Sequence, residues 1–303
     1  MKTFVLVNPM SGAGRTGRLW PELRRALSDR LDDWQHDFTL GPGDGTRLAA
    51  EAVETGYEEL VVVGGDGTLN EALNGLDRGD SLAPVVLTPV RFGTGGDFAR
   101  HLQLSGRLPG AVSHVGAGSI RRIDVGRVQF VDLEGQPQTR LFLNIASFGM
   151  SAEVVRRVDS GGKRFGAASF GLALGGALLA WRPPRLKVWV DDEVLHDGEI
   201  VTGAVANGSH FGGGMHFARG AAVDDGLFRV VLQTKAGARE LLRVDQVYSG
   251  AMDAWRTVKT ADGRRVRVEV ESGADVRLET DGELPGRLDA EFELLPGALQ
   301  LRS

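Results

Sequence analysis

Gly64-Gly65-Asp66-Gly67-Thr68-Leu69-Asn70-Glu71 lies between two segments of opposite style. Residues 59–63 before it (Glu-Leu-Val-Val-Val) read as a buried strand, and residues 69–76 after it read as a helix. A glycine-rich strand-to-helix turn lets the backbone come close to a phosphate. It also presents the free N–H groups and partial positive charge of a helix start. Thr68 and Glu71 stand at the S/T-x-x-E spacing of a capping box. Asp66 is the odd member, because a bare carboxylate repels phosphate. It makes sense if it faces a Mg²⁺ or holds a loop by hydrogen bonds.

Working outward, the same alternation fills the first 120 residues. Strands are expected at Thr3–Val7 and at residues 37–40, 59–63 and 85–88, and helices at 19–31, 46–55 and 69–76. Strands spaced by helices imply a parallel α/β sheet. Two more glycine loops follow strands: Asn8-Pro9-Met10-Ser11-Gly12-Ala13-Gly14, and Gly93-Thr94-Gly95-Gly96-Asp97. In a parallel sheet, loops after successive strands share one edge, where ligands bind.

From about Ile120 the style changes. Strands are expected over residues 123–130, 140–147, 185–190, 198–206, 227–233, 264–271 and 276–280. Val266, Val268 and Val270 alternate with charged residues, as in a half-buried antiparallel strand. Helical segments are expected around 166–181 and 238–249. The expected division is an α/β domain at 1–122 and an antiparallel, sandwich-like β domain at 123–303, with the extreme C-terminus able to pack back on the first.

Composition excludes several classes. The chain has 303 residues and 43 glycines, about twice the usual glycine share. It has no cysteine, so disulfides, thiol nucleophiles and Cys-type zinc or iron–sulfur sites are out. The net charge of −5 argues against a generic nucleic-acid binder. The apolar stretch 166–181 falls short of the roughly 20 residues a membrane span needs, and the start has too short an apolar run for a signal peptide. The expectation is a cytoplasmic protein. Its six histidines lack H-x-H and H-E-x-x-H spacing, and no serine sits in a G-x-S-x-G elbow. Gly12-Ala13-Gly14-Arg15-Thr16-Gly17 fits a dinucleotide fingerprint, with Asp37 twenty residues further on. Against it, Asn8-Pro9 precedes the glycines and Asp37 is expected at the start of its strand.

Gly64-Gly65-Asp66-Gly67-Thr68 with Asn70-Glu71, after Asn8-Pro9-Met10-Ser11-Gly12, resembles the diacylglycerol kinase catalytic-domain family, which includes soluble bacterial lipid kinases and the sphingosine and ceramide kinases. Phe142-Leu143-Asn144-Ile145-Ala146-Ser147-Phe148-Gly149, Asn207-Gly208, Gly212-Gly213-Gly214, Asp224-Asp225-Gly226-Leu227 and Asp281-Gly282-Glu283 follow in the family's order. The resemblance implies a nucleotide-binding α/β domain like that of NAD kinases and phosphofructokinases, then a β-rich lipid domain, with the site in the cleft between them. It implies ATP as phosphoryl donor, bound by Asn8, Ser11, Thr39, Gly64, Gly65, Asp66, Gly67, Thr68, Leu69, Asn70, Glu71 and Thr94. It implies Glu283, beside Asp281, as the base that takes a lipid hydroxyl's proton. It also implies a structural Mg²⁺ on the Asp225 carboxylate and the Ala222 and Leu227 carbonyls, and Asp66 is expected to serve a catalytic Mg²⁺. Three departures touch the substrate side. Gly96 stands where the family has Asn, and Pro89-Val90-Arg91-Phe92-Gly93 is a longer approach to that loop. Phe217-Ala218-Arg219-Gly220 lacks a proline.

Between positions 156 and 187 lie Arg156, Arg157, Lys163, Arg164, Arg182, Arg185 and Lys187 against one acid, Asp159. These bracket the apolar segment 166–181 and suggest peripheral contact with an anionic inner-membrane surface. An ordinary core helix with solvated flanks is the plainer alternative. Two functional alternatives stand beside the lipid kinase: a kinase of a soluble substrate such as NAD, and a nucleotide- or lipid-binding regulator without turnover. The oligomeric state is not legible.

Overall fold

The computed structural model describes residues 1–79, 81–92, 96–160, 182–235, 244–271 and 275–303. The apolar segment 166–181, Thr94 and the first part of the expected helix at 238–249 lie outside them.

The N-terminal half alternates β1 (Thr3–Val7), α1 (Ser11–Arg18), α2 (Trp20–Ser28), β2 (Trp34–Phe38), α3 (Asp44–Glu54), β3 (Glu59–Gly64), α4 (Asp66–Gly75), β4 (Val86–Arg91) and α5 (Asp97–His101). β2-β1-β3-β4 form a parallel sheet in that order. Every residue of β3 is buried, because helices cover both faces of a parallel sheet. Leu48, Ala49 and Leu73 of α3 and α4 pack on one face, and Leu23 and Leu27 of α2 on the other.

α4 begins at Asp66, with Gly65 as its cap residue. The helix therefore starts before Thr68, and the expected capping box does not form. α1 was read as loop, and Gly12, Ala13 and Gly14 inside it have left-handed backbone. β2 ends at Phe38, so Asp37 lies near the end of its strand, contrary to the expectation.

The second half is antiparallel: β5 (Ile120–Val131), β6 (Pro137–Phe142), β7 (Ile145–Gly149), β8 (Arg185–Val190), β9 (Glu193–Glu199), β10 (Thr202–Ala206), β11 (Phe228–Gln233), β12 (Val258–Gly263), β13 (Arg265–Val270), β14 (Arg277–Thr280) and β15 (Glu283–Arg302). Helices α6 (Met150–Ser160) and α7 (Val244–Ser249) complete it. Val128, Phe142, Phe148, Val188, Phe228, Val268 and Phe292 fill its core. The strand expected at 140–147 is two strands, broken at Leu143-Asn144, and that expected at 198–206 breaks after Glu199.

β15 joins the halves. It pairs antiparallel with β5, β13 and β14, then places Gln300 and Leu301 parallel against Val86 and Leu87 of β4. Sheet order among the described residues runs β12-β11-β10-β7-β14-β15-β4-β3-β1-β2.

Candidate active site

The C-terminal edge of the parallel sheet gathers the loops that the sequence singled out. Asn8 follows β1, Thr39 follows β2, and Gly64 ends β3. Asn8 Nδ2 donates to Thr68 Oγ1 at 2.8 Å, tying the first glycine loop to the second. The Ser11 hydroxyl donates to the carbonyls of Asn8 (3.0 Å) and Phe92 (2.9 Å). Thr39 is buried, and its N–H donates to the Val7 carbonyl.

Asp66 does not project into open space. Its carboxylate accepts the N–H groups of Gly96 (2.9 Å), Asp97 (2.8 Å) and Phe98 (3.3 Å), the start of α5. Burial pushes its carboxyl above the usual range, and these three donors pull it back. Of the two roles open to Asp66 in the sequence, these contacts are those of loop holding. Glu71 behaves alike: its oxygens accept the Gly43 and Gly45 N–H groups, both at 2.8 Å. It thus caps α3 rather than its own helix, filling orphan donors at that helix start.

Asn70 connects the glycine loop to the C-terminal half. Its Nδ2 donates to Asp281 Oδ2 and to the Leu141 carbonyl, each at 2.9 Å. Asp281 and Gly282 are the two central residues of the β14–β15 hairpin, with φ of 48° and 93°. That is the two-residue turn for which Asp-Gly is the strongest short-range signal. The buried Asp281 carboxylate accepts N–H groups from Leu143 (2.8 Å), Asn144 (3.0 Å) and Ile145 (3.1 Å). These donors span the break between β6 and β7, so the break exists to feed this carboxylate. Burial raises its carboxyl to about 6 despite them. Glu279, two residues earlier, is fully enclosed. It accepts the Ser147 hydroxyl and the Gly282 N–H, and burial raises its carboxyl to about 7.

Glu283 is different: its side chain is 36% exposed. Its Oε1 lies 3.1 Å from where a Cβ on Gly67 would stand, directly against the glycine turn. The Arg140 guanidinium bridges Glu283 Oε2 and Asn70 Oδ1, the latter at 2.7 and 3.0 Å. Arg140 and Glu283 form one end of a cavity of about 550 Å³. Its other walls include Gly43, Thr46, Glu71, Phe130, Thr139 and Pro285. Asn70, Asp281, Arg140, Glu283 and Gly67 are thus one constellation.

A second contact joins the halves at α5. Asp97 Oδ2 accepts the Gly213 N–H at 2.8 Å, and Ser209 Oγ lies between His101 Nδ1 (2.8 Å) and His210 Nδ1 (2.9 Å). Burial, reinforced by His210, pushes His101 down to about 4, so this imidazole is neutral at pH 7.

The residues expected to hold Mg²⁺ lie on the loop before β11. Asp225 Oδ1 accepts the Leu227 N–H at 3.0 Å, and burial and then Asp124 and Asp262 raise its carboxyl. A carboxylate crowded by two others gains from a cation, and carboxylate plus carbonyl oxygens is hard-donor chemistry suited to Mg²⁺. Among the described residues, no group of three or more His, Cys, Asp or Glu side chains could hold a metal. Ala222 and Leu227 would therefore contribute carbonyls only. Asp124 pins the loop, accepting the Gly226 and Gly297 N–H groups.

Sequence reasoning missed Arg140, Glu279 and the loop-tying role of Asp97. Arg140 carries no local signal, since a single arginine in a strand reads as a solvated face. The basic cluster at 156–187 is partly neutralised by acids remote in sequence. Arg185 pairs with Glu271 (3.3 Å), and Lys187 with Asp197 (3.7 Å). Arg156 pairs with Glu153 at 2.7 Å. Among the described residues, no helix is long and apolar enough to cross a membrane.

An α/β half and a β half that presents a carboxylate to its glycine turn fit a kinase acting on an alcohol group. The chain belongs to the diacylglycerol kinase family. Residues 2–128 match the diacylglycerol kinase catalytic domain, and residues 144–303 match the YegS C-terminal NAD kinase beta sandwich-like domain. A diacylglycerol kinase of Bacillus subtilis is 32% identical over 291 residues, covering 95% of this chain and 91% of that protein. One from Staphylococcus saprophyticus is 27% identical over 290 residues, covering 95% and 90%. The crystal structure of a diacylglycerol kinase from Bacillus anthracis superposes with a TM-score of 0.74 at 20% identity, covering 99% of this chain and 96% of that one. Yeast NADH kinase shares the fold at a TM-score of 0.52 and 11% identity, over 100% of this chain and 83% of that one.

Proposed function

We propose that the protein transfers the γ-phosphoryl group of ATP, with Mg²⁺, to a hydroxyl of a membrane lipid, diacylglycerol or a close relative. The observation that carries this reading is Glu283 against Gly67. The neighbouring acids Asp281 and Glu279 have their oxygens taken by N–H and O–H donors. Glu283 faces the cavity and is the carboxylate placed to accept a hydroxyl proton beside the glycine turn.

Phosphoryl transfer asks the protein mainly for in-line positioning and charge stabilisation. Gly64 to Glu71, with Asn8, Ser11, Thr39 and Thr94, bind and orient the nucleotide in this reading. Asn70 and Asp281 hold the two halves in register at the turn. Arg140 fixes the Glu283 carboxylate until the acceptor hydroxyl replaces it. Mg²⁺, when bound, neutralises phosphate charge; Asp225 with the Ala222 and Leu227 carbonyls would hold a structural ion. The working division is residues 1–122 for nucleotide and 123–303 for lipid, at the cytoplasmic face of the membrane.

Purified protein with Mg²⁺, γ-labelled ATP and a total lipid extract should move label into the organic phase. Glu283→Gln should lower that rate by about 10²–10⁴ while circular dichroism and thermal midpoint stay unchanged. A rate within a few-fold of wild type would remove Glu283 from the base role. Label moved to NAD in a parallel incubation would make the substrate soluble, and ATP binding without transfer to any pool would make the protein a regulator.

A further inference from the structure

Two departures from the family pattern, the extra Arg91 and the glycine at position 96, meet in space. Arg91 is the last residue of β4 and lies beside Gly64 of the glycine turn in the parallel register. A Cβ on Gly96 would stand 2.8 Å from Arg91 Nε, 3.0 Å from its Cγ and 3.1 Å from its Cδ. A Cβ on Gly106 would stand 3.5 Å from the same Nε. The arginine stem therefore runs through a slot that exists because position 96 lacks a side chain, with Gly106 in ordinary contact beside it.

The head of this side chain is incompletely satisfied. Arg91 Nε is buried with no hydrogen-bond partner, and no acid pairs with the guanidinium among the described residues. A buried donor left open is destabilising, and such a group in a native structure calls for an explanation. Arg91 lies with Gly64, Gly65, Asp66 and Gly96 around a gap of about 10 Å³ at the glycine turn that opens α4. Asp66 is not its partner: that carboxylate is spent on the N–H groups of residues 96–98. Among the described residues the chain supplies no acceptor for the Arg91 Nε. A planar guanidinium fork beside glycine-loop N–H groups matches phosphate oxygens.

We propose that Arg91, seated in the slot at Gly96, is a phosphate-binding residue of the active site. This rests on the phosphoryl-transfer reading for the identity of the anion, which is either the nucleotide's polyphosphate or a phosphate carried by the lipid. The slot explains why Gly96 occupies its position: a side chain there would expel the arginine.

Calorimetric titration of the full-length protein with ADP, inorganic pyrophosphate and phosphatidic-acid vesicles, at two salt concentrations, tests it. Arg91→Gln should weaken ADP and pyrophosphate at least tenfold and flatten their salt dependence, with Arg91→Lys recovering part of the loss. Loss confined to phosphatidic-acid vesicles would support the same chemistry with the phosphate on the lipid. Gly96→Asn keeps Arg91 but fills its slot; the positive φ of 93° there strains any side chain, so the variant's thermal midpoint is measured alongside. This variant should reproduce the loss and add nothing in the Arg91→Gln background. All three ligands binding within twofold of wild type would overturn the proposal, as would wild-type protein that binds none of them. Pyrophosphate binding needs no turnover, so the site and the kinase reading fail separately. Loss of pyrophosphate in Arg91→Gln with an inactive wild type keeps the site and sinks the kinase. An active wild type matched by Arg91→Gln does the reverse.

Discussion

Glu279 is a carboxylic acid with no access to water, and burial favours its protonated form although Ser147 and Gly282 donate to it. Burial raises it from 4.5 to about 7, so the folded state holds a proton that the unfolded chain releases between those values. The resulting stability is complete below pH 4.5 and is lost as pH rises towards 7. Glu279→Gln mimics the neutral acid and keeps an acceptor for the Gly282 N–H. Urea denaturation should find the variant losing less stability than wild type between pH 4.5 and 8, by on the order of 1–3 kcal/mol. The remaining slope comes from Asp281, raised from 3.8 to about 6. An equal offset at every pH would show that Glu279 is ionised in the fold. The Asp281-Gly282 turn was legible, because only a few residue pairs suit that backbone. Its hydrogen-bond partners were not, since Leu143, Asn144 and Ile145 lie more than 130 positions away.

Helix α4 has two glycines under opposite constraints, one just before it and one at its end. Gly75 meets α3 so closely that a Cβ would lie 2.4 Å from the Thr46 carbonyl and 2.7 Å from Ala49 Cβ. Gly65 has ordinary extended backbone and open space around its Cβ direction. Gly75→Ala should therefore destabilise the fold by about 1–3 kcal/mol through overpacking. Gly65→Ala should leave stability within about 0.5 kcal/mol yet weaken nucleotide binding, because in the proposed function the phosphate approaches this open side of the turn. Denaturation and ADP titration on both variants read these outcomes independently. The reverse pattern would mean that the glycine turn serves packing and not a ligand. Glycine enrichment announced both positions, but whether a glycine answers to a neighbouring helix or to a ligand depends on what the fold brings beside it.

Beside its pairing with β4, the last strand reaches the N-terminal half through a buried ion pair. Arg302 Nε donates to Glu59 Oε1 at 2.8 Å, Thr88 donates to the same carboxylate, and both charged side chains are nearly fully buried. Removing one partner strands the other charge. Arg302→Ala should cost about 3–5 kcal/mol, while the paired replacement of Glu59 and Arg302 by Gln and Met should recover most of it. Urea midpoints for the single and paired variants measure the difference. A loss below about 1 kcal/mol would mean that this end of β15 frays in solution.

The residue pattern was enough to reveal the parallel α/β half, the antiparallel half and the glycine turn between β3 and α4. Each of these rests on local periodicity or on turn residues with few conformational options. It did not reveal β15, which accommodates Pro285-Gly286 and Pro296-Gly297 with bulges against β14 and β5. Nor did it reveal where the polar side chains point. Glu71 looked like its own helix's cap and instead caps α3, Asp66 looked ready for metal and holds α5, and Arg140 had no signal at all. Buried hydrogen bonds are satisfied by whatever donor the packed chain brings within 3 Å, and that proximity exists only once the sheet has closed.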